Sequence, residues 1–114
     1  SSPTLERAAA NIAAIKSRDL SFADQPDGSV RIIDANTGAV AGGVARGTES
    51  GFIRGVMRGL MRNRHQRGVA MGPPFRLTLW ANGQISITDT TSGYVTDLSA
   101  FGETNRAAFA ALLK

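Results

Sequence analysis

The sequence contains an internal repeat at a spacing of 55 residues. Residues 27–34 (DGSVRIID) align with residues 82–89 (NGQISITD), and the alignment runs without a gap over residues 20–47 and 75–102. The positions that agree are turn glycines, turn aspartates and apolar strand residues, which determine backbone geometry. The duplication therefore constrains the architecture strongly and leaves the chemistry open.

The first half of the sequence has the pattern of three strands. Leu20 and Phe22, and then Val30 and Ile32, alternate with polar neighbours as residues of a half-buried strand do. Residues 39–45 form a third apolar run, which Gly42 and Gly43 weaken and mark as a candidate bulge.

The second half repeats this pattern. Strands are predicted around residues 75–79, 85–87 and 94–98, and Asn82-Gly83 is the strongest hairpin signal in the chain. A last helix is predicted to begin near Thr104.

A longer helix is predicted between the two halves. It is capped by Thr48 or Ser50, runs to about Arg67 and stops at Gly68. Its apolar residues recur at helical spacing and predict a face that packs on the core: Phe52, Ile53, Val56, Met57, Leu60 and Met61.

A first helix is predicted at the N-terminus. Ser2 is a suitable N-cap and Pro3 a suitable first helical residue. Apolar residues at helical spacing extend this prediction through Arg18: Leu5, Ala8, Ile12 and Ile15.

These elements predict an α+β fold made of two tandem β-β-β-α repeats, related by a pseudo-two-fold axis, with antiparallel sheets and an N-terminal helix. Residues 1–18 form a connector helix, and residues 19–114 form one domain. That domain consists of repeat one (19–67), a linker (68–74) and repeat two (75–114). The sequence leaves open whether the two three-stranded units join into one sheet or face each other.

Positive charge is concentrated in one part of the chain. The net charge is +4, and residues 46–67 contain six arginines and His65 against a single acid, Glu49. A basic segment on a nearly neutral body predicts one surface that contacts an anionic partner.

Two ridges on the central helix are the candidate binding surface. Arginines spaced by four lie on one helix face, and glycines with the same spacing form a parallel ridge of bare backbone, which lets another backbone approach closely. The alternative is a solvated face whose glycines pack under a strand. A neighbouring arginine, Arg64, is added to this surface, and so is Trp80, which could instead pack at a strand end. The candidate partner-binding residues are therefore Arg54, Arg58, Arg62, Arg64, Gly55, Gly59 and Trp80.

The residues do not favour an enzyme. The chain has no cysteine and one histidine, so we predict no catalytic, cofactor-binding or metal-binding residues. Asp34 and Asp89 are related by the repeat, and we interpret them as turn-capping residues rather than a catalytic pair. A nucleic-acid or general polyanion-binding module is the alternative function, although aromatic stacking residues near the arginines are scarce.

Three segments resemble the photosynthetic complex assembly protein PuhC family. Residues 47–48 (GT) and 51–60 (GFIRGVMRGL) are similar to the family's GT and GFVRGVLRGL. Residues 73–83 (PPFRLTLWANG) are similar to PPFRLTRWADG, and residues 97–109 (DLSAFGETNRAAF) to DLxAFGPTNxAAF. The resemblance covers about residues 18–113.

The chain departs mildly from the family pattern. Leu79 stands where an arginine is common, and Glu103 replaces the proline that usually precedes Thr104. Family members carry an N-terminal membrane span, whereas this sequence has no run of 18 apolar residues. We expect that such a span precedes this domain in the full protein.

The resemblance implies a non-catalytic assembly factor in purple phototrophic bacteria. It would support assembly of the reaction centre with the core light-harvesting complex, whose polypeptides would be its partners. The family's topology implies the periplasmic side of the inner membrane, with the domain anchored by the span. An anionic membrane surface is a further predicted contact, and sheet edges favour a homodimer.

Overall fold

The computed structural model describes residues 1–47 and 51–114. In these residues the strands are β1 (Ala14–Asp24), β2 (Val30–Asp34), β3 (Val40–Val44), β4 (Phe75–Trp80), β5 (Ile85–Asp89) and β6 (Val95–Asp97). The α-helices are α1 (Pro3–Ala9), α2 (Gly51–Arg67) and α3 (Glu103–Ala110). Short 3₁₀ turns cover Ser99–Phe101 and Ala111–Leu113.

All six strands lie in one antiparallel sheet with the order β3-β2-β1-β4-β5-β6. The α+β class and the N-terminal helix are therefore confirmed. The two three-stranded units join edge to edge through β1 and β4, where Leu20 pairs with Phe75. Joining the units satisfies the backbone groups of both strands, which would otherwise be sheet edges.

One face of the sheet carries the hydrophobic core. Alternate residues of the strands point to this face, and α2, α3 and the C-terminal 3₁₀ turn cover it. Its buried strand residues include Leu20, Ile32, Leu77, Ile85 and Ile87, and the helices add Ile53, Met57, Leu60, Phe109, Leu112 and Leu113.

The predicted turns form, and their hydrogen bonds recur 55 residues apart. The Gly38 amide donates to the Asp34 carbonyl and the Gly93 amide to the Asp89 carbonyl, each at 2.8 Å. Both glycines have a positive φ, 78° and 75°, which explains why glycine is needed at these positions. The helix that follows each three-stranded unit differs in length: α2 has 17 residues and α3 has eight.

The prediction of a helix through Arg18 is wrong. Helix α1 begins as predicted, with the Ser2 hydroxyl accepting from the Leu5 amide, but it ends at Ala9. Asn11 adopts a left-handed conformation (φ 53°), and β1 begins at Ala14. A helix there would leave one edge of β4 unpaired, so the pairing of β1 with β4 overrides the local helical pattern.

Helix α2 ends at Arg67, close to the predicted position. Gly68 follows with a positive φ of 66°, as a glycine that terminates a helix does. The predicted N-caps, Thr48 and Ser50, lie outside the described residues.

Candidate partner-binding surface

Helix α2 separates a buried face from an exposed one. Ile53, Met57 and Leu60 pack on the sheet, as the apolar stripe predicts. The opposite side of the helix, which we call the outer face of α2, is formed by Gly51, Gly55, Arg58, Gly59 and Arg62.

No part of the described chain packs against the glycines of the outer face. A Cβ atom built on Gly51, Gly55 or Gly59 would meet no neighbouring heavy atom within 4 Å. The alternative in which these glycines pack under a strand is therefore wrong. Each glycine inside a helix costs about 1 kcal/mol relative to alanine, and within the described residues no close packing compensates for it.

Two of the predicted arginines are available to a partner. Arg58 and Arg62 are exposed, and neither forms an ion pair with the residues that the structure describes. Arg54 is half-buried instead, and its Nη2 donates to the carbonyl oxygens of Gly28 (3.3 Å) and Ala45 (3.5 Å). The cationic part of the outer face is thus the pair Arg58 and Arg62.

Arg64 is not part of this surface. Only 1% of it is exposed, and its Nε and Nη2 bind the two carboxylate oxygens of Asp89 at 2.8 and 2.9 Å. Its guanidinium also lies 3.8 Å from the centre of the Phe75 ring. The interpretation of Arg64 as a residue free to bind a partner needs correction, because it holds α2 on the sheet.

Trp80 lies on the other face of the sheet from α2. Its indole Nε1 donates to the Ser86 hydroxyl (2.9 Å), and the guanidinium of Arg7 covers its ring at 4.7 Å. Arg7 is buried and also binds Asp97 and Gln84. The structure therefore does not bring Trp80 together with the outer face of α2; it supports the alternative of packing at a strand end.

A shallow groove between α2 and β6 borders the glycine ridge. It encloses about 420 Å³, and Gly55 and Gly59 form part of its lining. Two aromatic side chains that line it are unusually exposed, Tyr94 at 41% and Phe101 at 50%. The Asn63 Oδ1 atom is buried at this groove without a hydrogen-bond partner in the described chain. No local pattern in the sequence places β6 beside α2, so the position of Tyr94 and Phe101 next to the glycines could not be predicted.

Asp34 and Asp89 cap turns, as predicted. Their strands are separated by β1 and β4, so the two carboxylates do not form a pair. Hydrogen bonds from Arg18, then from the Thr37 and Asn36 amides, lower the pKa of Asp34 to about 2. Burial raises the pKa of Asp89, but hydrogen bonds from Arg64 and Thr91 outweigh it and bring that pKa to about 2.

We expect the domain to lose stability in acid through Asp34 and Asp89. Both carboxyl groups have an ordinary pKa of 3.8 and a lower value in the fold. Their ionised forms therefore stabilise the fold fully above about pH 4, and this contribution is lost as the pH falls toward about 2. The melting temperature should fall steeply across this range.

Substitution of one of these residues tests whether its carboxyl group causes the loss of stability in acid. Asp89→Asn should lower the melting temperature at neutral pH and flatten its dependence on acid. Asp24→Asn is the control, since Asp24 is exposed. An Asp89→Asn variant with the same acid dependence as the parent would contradict the assignment.

Other kinds of site find no support in the residues described. Within residues 1–47 and 51–114, no cluster of three or more metal-ligating side chains occurs. His65 is exposed. No helix in these ranges is long and apolar enough to cross a membrane.

A match to a known protein family identifies the family of this chain. The family described as photosynthetic complex reorganisation protein PuhC matches residues 15–114. The chain belongs to the PuhC family. This match confirms the resemblance noted in the sequence, and it spans the whole sheet from β1 onward together with α2 and α3.

The PuhC match also limits what can be attributed to the family. Helix α1 lies before residue 15 and is outside the match. No curated protein and no solved structure matches this chain. The PuhC description points to the reorganisation or assembly of photosynthetic complexes and names no particular partner.

Proposed function

We propose that this PuhC domain is a non-catalytic assembly factor that binds polypeptides of the reaction centre and the core light-harvesting complex. The family description supports a role in photosynthetic complexes. The observation that carries the proposal is the outer face of α2, where glycines with open space above them lie beside Arg58 and Arg62, which make no ion pair with the described residues. Such a face is costly to the isolated domain and suits a partner.

The chemistry of this face selects the partner. Gly55 and Gly59 leave room for another backbone to approach α2 closely, as small residues do at helix–helix contacts. Arg58 and Arg62 lie one helical turn apart and can each bind a carboxylate on the approaching segment. We therefore propose that the bound element is an acidic helix or loop of a photosynthetic polypeptide.

We also propose that the domain works at the periplasmic surface of the inner membrane, held there by an N-terminal span. The topology implied by the family resemblance supports this location. The exposed Arg58 and Arg62 would then face either a polypeptide or anionic lipid headgroups, and both are compatible with a cationic face near a membrane.

We propose further that the two halves are copies of one unit related by a pseudo-two-fold axis between β1 and β4. The mirrored strand order and the turn hydrogen bonds that recur at a spacing of 55 residues support this relation. The predicted division of residues 19–114 into 19–67, the linker 68–74 and 75–114 is kept in this proposal, except that the domain begins at residue 14, because β1 starts at Ala14 and pairs with β4 from there. Its edge strands β3 and β6 are the candidate contacts of a homodimer.

Nucleic-acid binding is less favoured than a protein partner. Arg64 pairs with Asp89 and Arg54 binds backbone carbonyl groups, so fewer arginines remain for phosphates than the sequence suggests. Trp80, a candidate stacking residue, lies on the opposite side of the sheet. The basic side of α2 therefore lacks Trp80 as an aromatic platform of the kind that single-strand binding proteins use, and the exposed aromatic side chains near it are Tyr94 and Phe101.

Charge reversal on the outer face tests the proposed function. We expect Arg58→Glu with Arg62→Glu in the full protein to lower the level of assembled reaction centre and core antenna several-fold in the native membrane. The absorption of the assembled complexes measures this level. The domain should stay folded, because substitutions of exposed residues change stability by about 0.5 kcal/mol or less.

Arg31→Glu is the matched control. Arg31 is exposed on the face of the sheet opposite α2, and Arg31→Glu reverses one positive charge, as each of the two α2 substitutions does. Normal complex levels with both α2 arginines reversed, or an equal loss in the Arg31 variant, would contradict the proposal.

A further inference from the structure

A second groove lies on the other side of α2, between the helix and the hairpin of β1 and β2. It encloses about 520 Å³, which is within the range of about 300–1,000 Å³ typical of small-ligand pockets. Its apolar lining comes from three strands and the helix: Phe22, Val30, Val44, Ile53, Met57 and Met61.

The rim of this groove is cationic. Arg54, Arg58 and Arg62 line it along α2, and among the described residues of its lining Asp24, at the end of β1, is acidic. Arg54 is held by backbone carbonyl groups, whereas Arg58 and Arg62 are exposed and make no ion pair with the described residues. The groove thus combines an apolar interior with two available guanidinium groups at its mouth.

The groove suits a ligand without backbone polar groups. Of the three strands that line it, β1 and β2 are hydrogen-bonded on both sides, and β3, which contributes Val44, is an edge strand. An extended peptide laid over β1 and β2 would therefore find no strand edge to pair with there. Its N–H and C=O groups would lose water without compensation, which is costly. An alkyl chain carries no such groups, and the flexible side chains of Met57 and Met61 can adapt to its shape.

We propose that this groove binds one acyl chain of an anionic phospholipid, with Arg58 and Arg62 holding its phosphate. The two guanidinium groups lie one helical turn apart and can donate charge-assisted hydrogen bonds to one phosphate group. This assignment goes beyond the proposed assembly function, because it concerns a lipid ligand and holds whether or not α2 binds a polypeptide.

The test uses a single-chain probe below the concentration at which it forms micelles. We expect lysophosphatidylglycerol to bind the 114-residue chain and to shift the NMR signals of the Met57 and Met61 methyl groups. Glycerol phosphate, which lacks the alkyl chain, and dodecyl maltoside, which lacks the charge, should each bind at least about tenfold more weakly, since the charged hydrogen bonds and the buried chain both contribute.

Variants separate the two parts of the site. Arg58→Glu should weaken binding of lysophosphatidylglycerol about tenfold, and Asp24→Asn should strengthen it by removing the opposing carboxylate. Met61→Glu should abolish binding by placing a charge in the apolar interior. Arg31→Glu, on the opposite face of the sheet, is the control and should bind like the parent.

Three results would overturn the assignment. Equal binding by the parent and the Arg58 variant would remove the role of the rim, and equal binding of dodecyl maltoside would reduce the site to a nonspecific apolar groove. Binding of an acidic amphipathic peptide, but not of the lysophospholipid, with the same methyl shifts would assign the groove to a polypeptide. These readouts are direct binding measurements, so their failure is distinct from failure of the assembly proposal.

Discussion

Replacing Arg64 with alanine is expected to destabilise the domain by about 3–5 kcal/mol, because breaking a buried ion pair leaves a buried charge uncompensated. Asp89 is 1% exposed and would lose both of its bonds from the guanidinium. The carbonyl oxygens of Met71 and Pro74 would each lose the hydrogen bond from this guanidinium, at 2.7 and 3.2 Å, although Pro74 would keep the bond from the Thr90 hydroxyl. The domain as a whole is expected to be stable by only about 5–15 kcal/mol.

Chemical denaturation of the 114-residue chain measures this effect. Arg62→Ala is the matched control, since Arg62 is an exposed arginine of the same helix, and its substitution should change stability by about 0.5 kcal/mol or less. Arg64→Lys should recover only part of the loss, because lysine keeps the charge but cannot bind Asp89 with a planar pair of donors. Equal stability of the Arg64→Ala and Arg62→Ala variants would show that this ion pair does not hold α2 on the sheet.

The strands and turns were predictable because their signals are local. Alternation of apolar residues placed the strands apart from the first half of β1, which was predicted as helix, and Gly38 and Gly93 marked turns that need a positive φ. The joining of two three-stranded units into one sheet was not predictable, since the pairing of Leu20 with Phe75 links residues far apart in the sequence.

The buried position of Arg64 had a signal in the sequence that its charge obscured. Ile53, Met57, Leu60 and Arg64 follow one another at spacings of four, three and four, which places all of them on one side of a helix. The arginine was assigned to the surface because charged residues are rarely buried unless they are paired. Its partner, Asp89, lies 25 residues away and could not be assigned without the fold.

The rest of the site depends on tertiary contacts that no local pattern encodes. Trp80 is covered by Arg7, which is 73 positions earlier in the chain. The groove between α2 and the β1–β2 hairpin is lined by Met57, Met61 and Phe22, whereas helical periodicity alone predicts only that the two methionines face the core. The open space above Gly55 and Gly59 likewise depends on the tertiary structure, because the sequence does not show whether another element of the chain packs on them.

The second large effect is expected from filling the glycine ridge. Gly55→Ala with Gly59→Ala should stabilise the domain by about 2 kcal/mol, since each glycine in a helix costs about 1 kcal/mol relative to alanine. Both positions have open space for a Cβ atom, so no internal clash opposes this gain. The melting temperature should rise by on the order of 8 °C.

The same substitutions should impair binding to a partner. Two methyl groups on the outer face of α2 would keep an approaching backbone from the close contact that glycine permits. The variant should therefore be more stable and less active, a combination that loss of folding cannot produce. His65→Ala is the control, because it removes an exposed side chain of α2 and leaves Gly55 and Gly59 unchanged.

The level of assembled reaction centre and core antenna in cells that carry the full protein with Gly55→Ala and Gly59→Ala tests the role of the outer face most directly. If this face is where a photosynthetic polypeptide docks, the level falls several-fold while the isolated domain melts at a higher temperature than the parent. Unchanged complex levels in cells whose domain shows that higher melting temperature would contradict a docking role for α2.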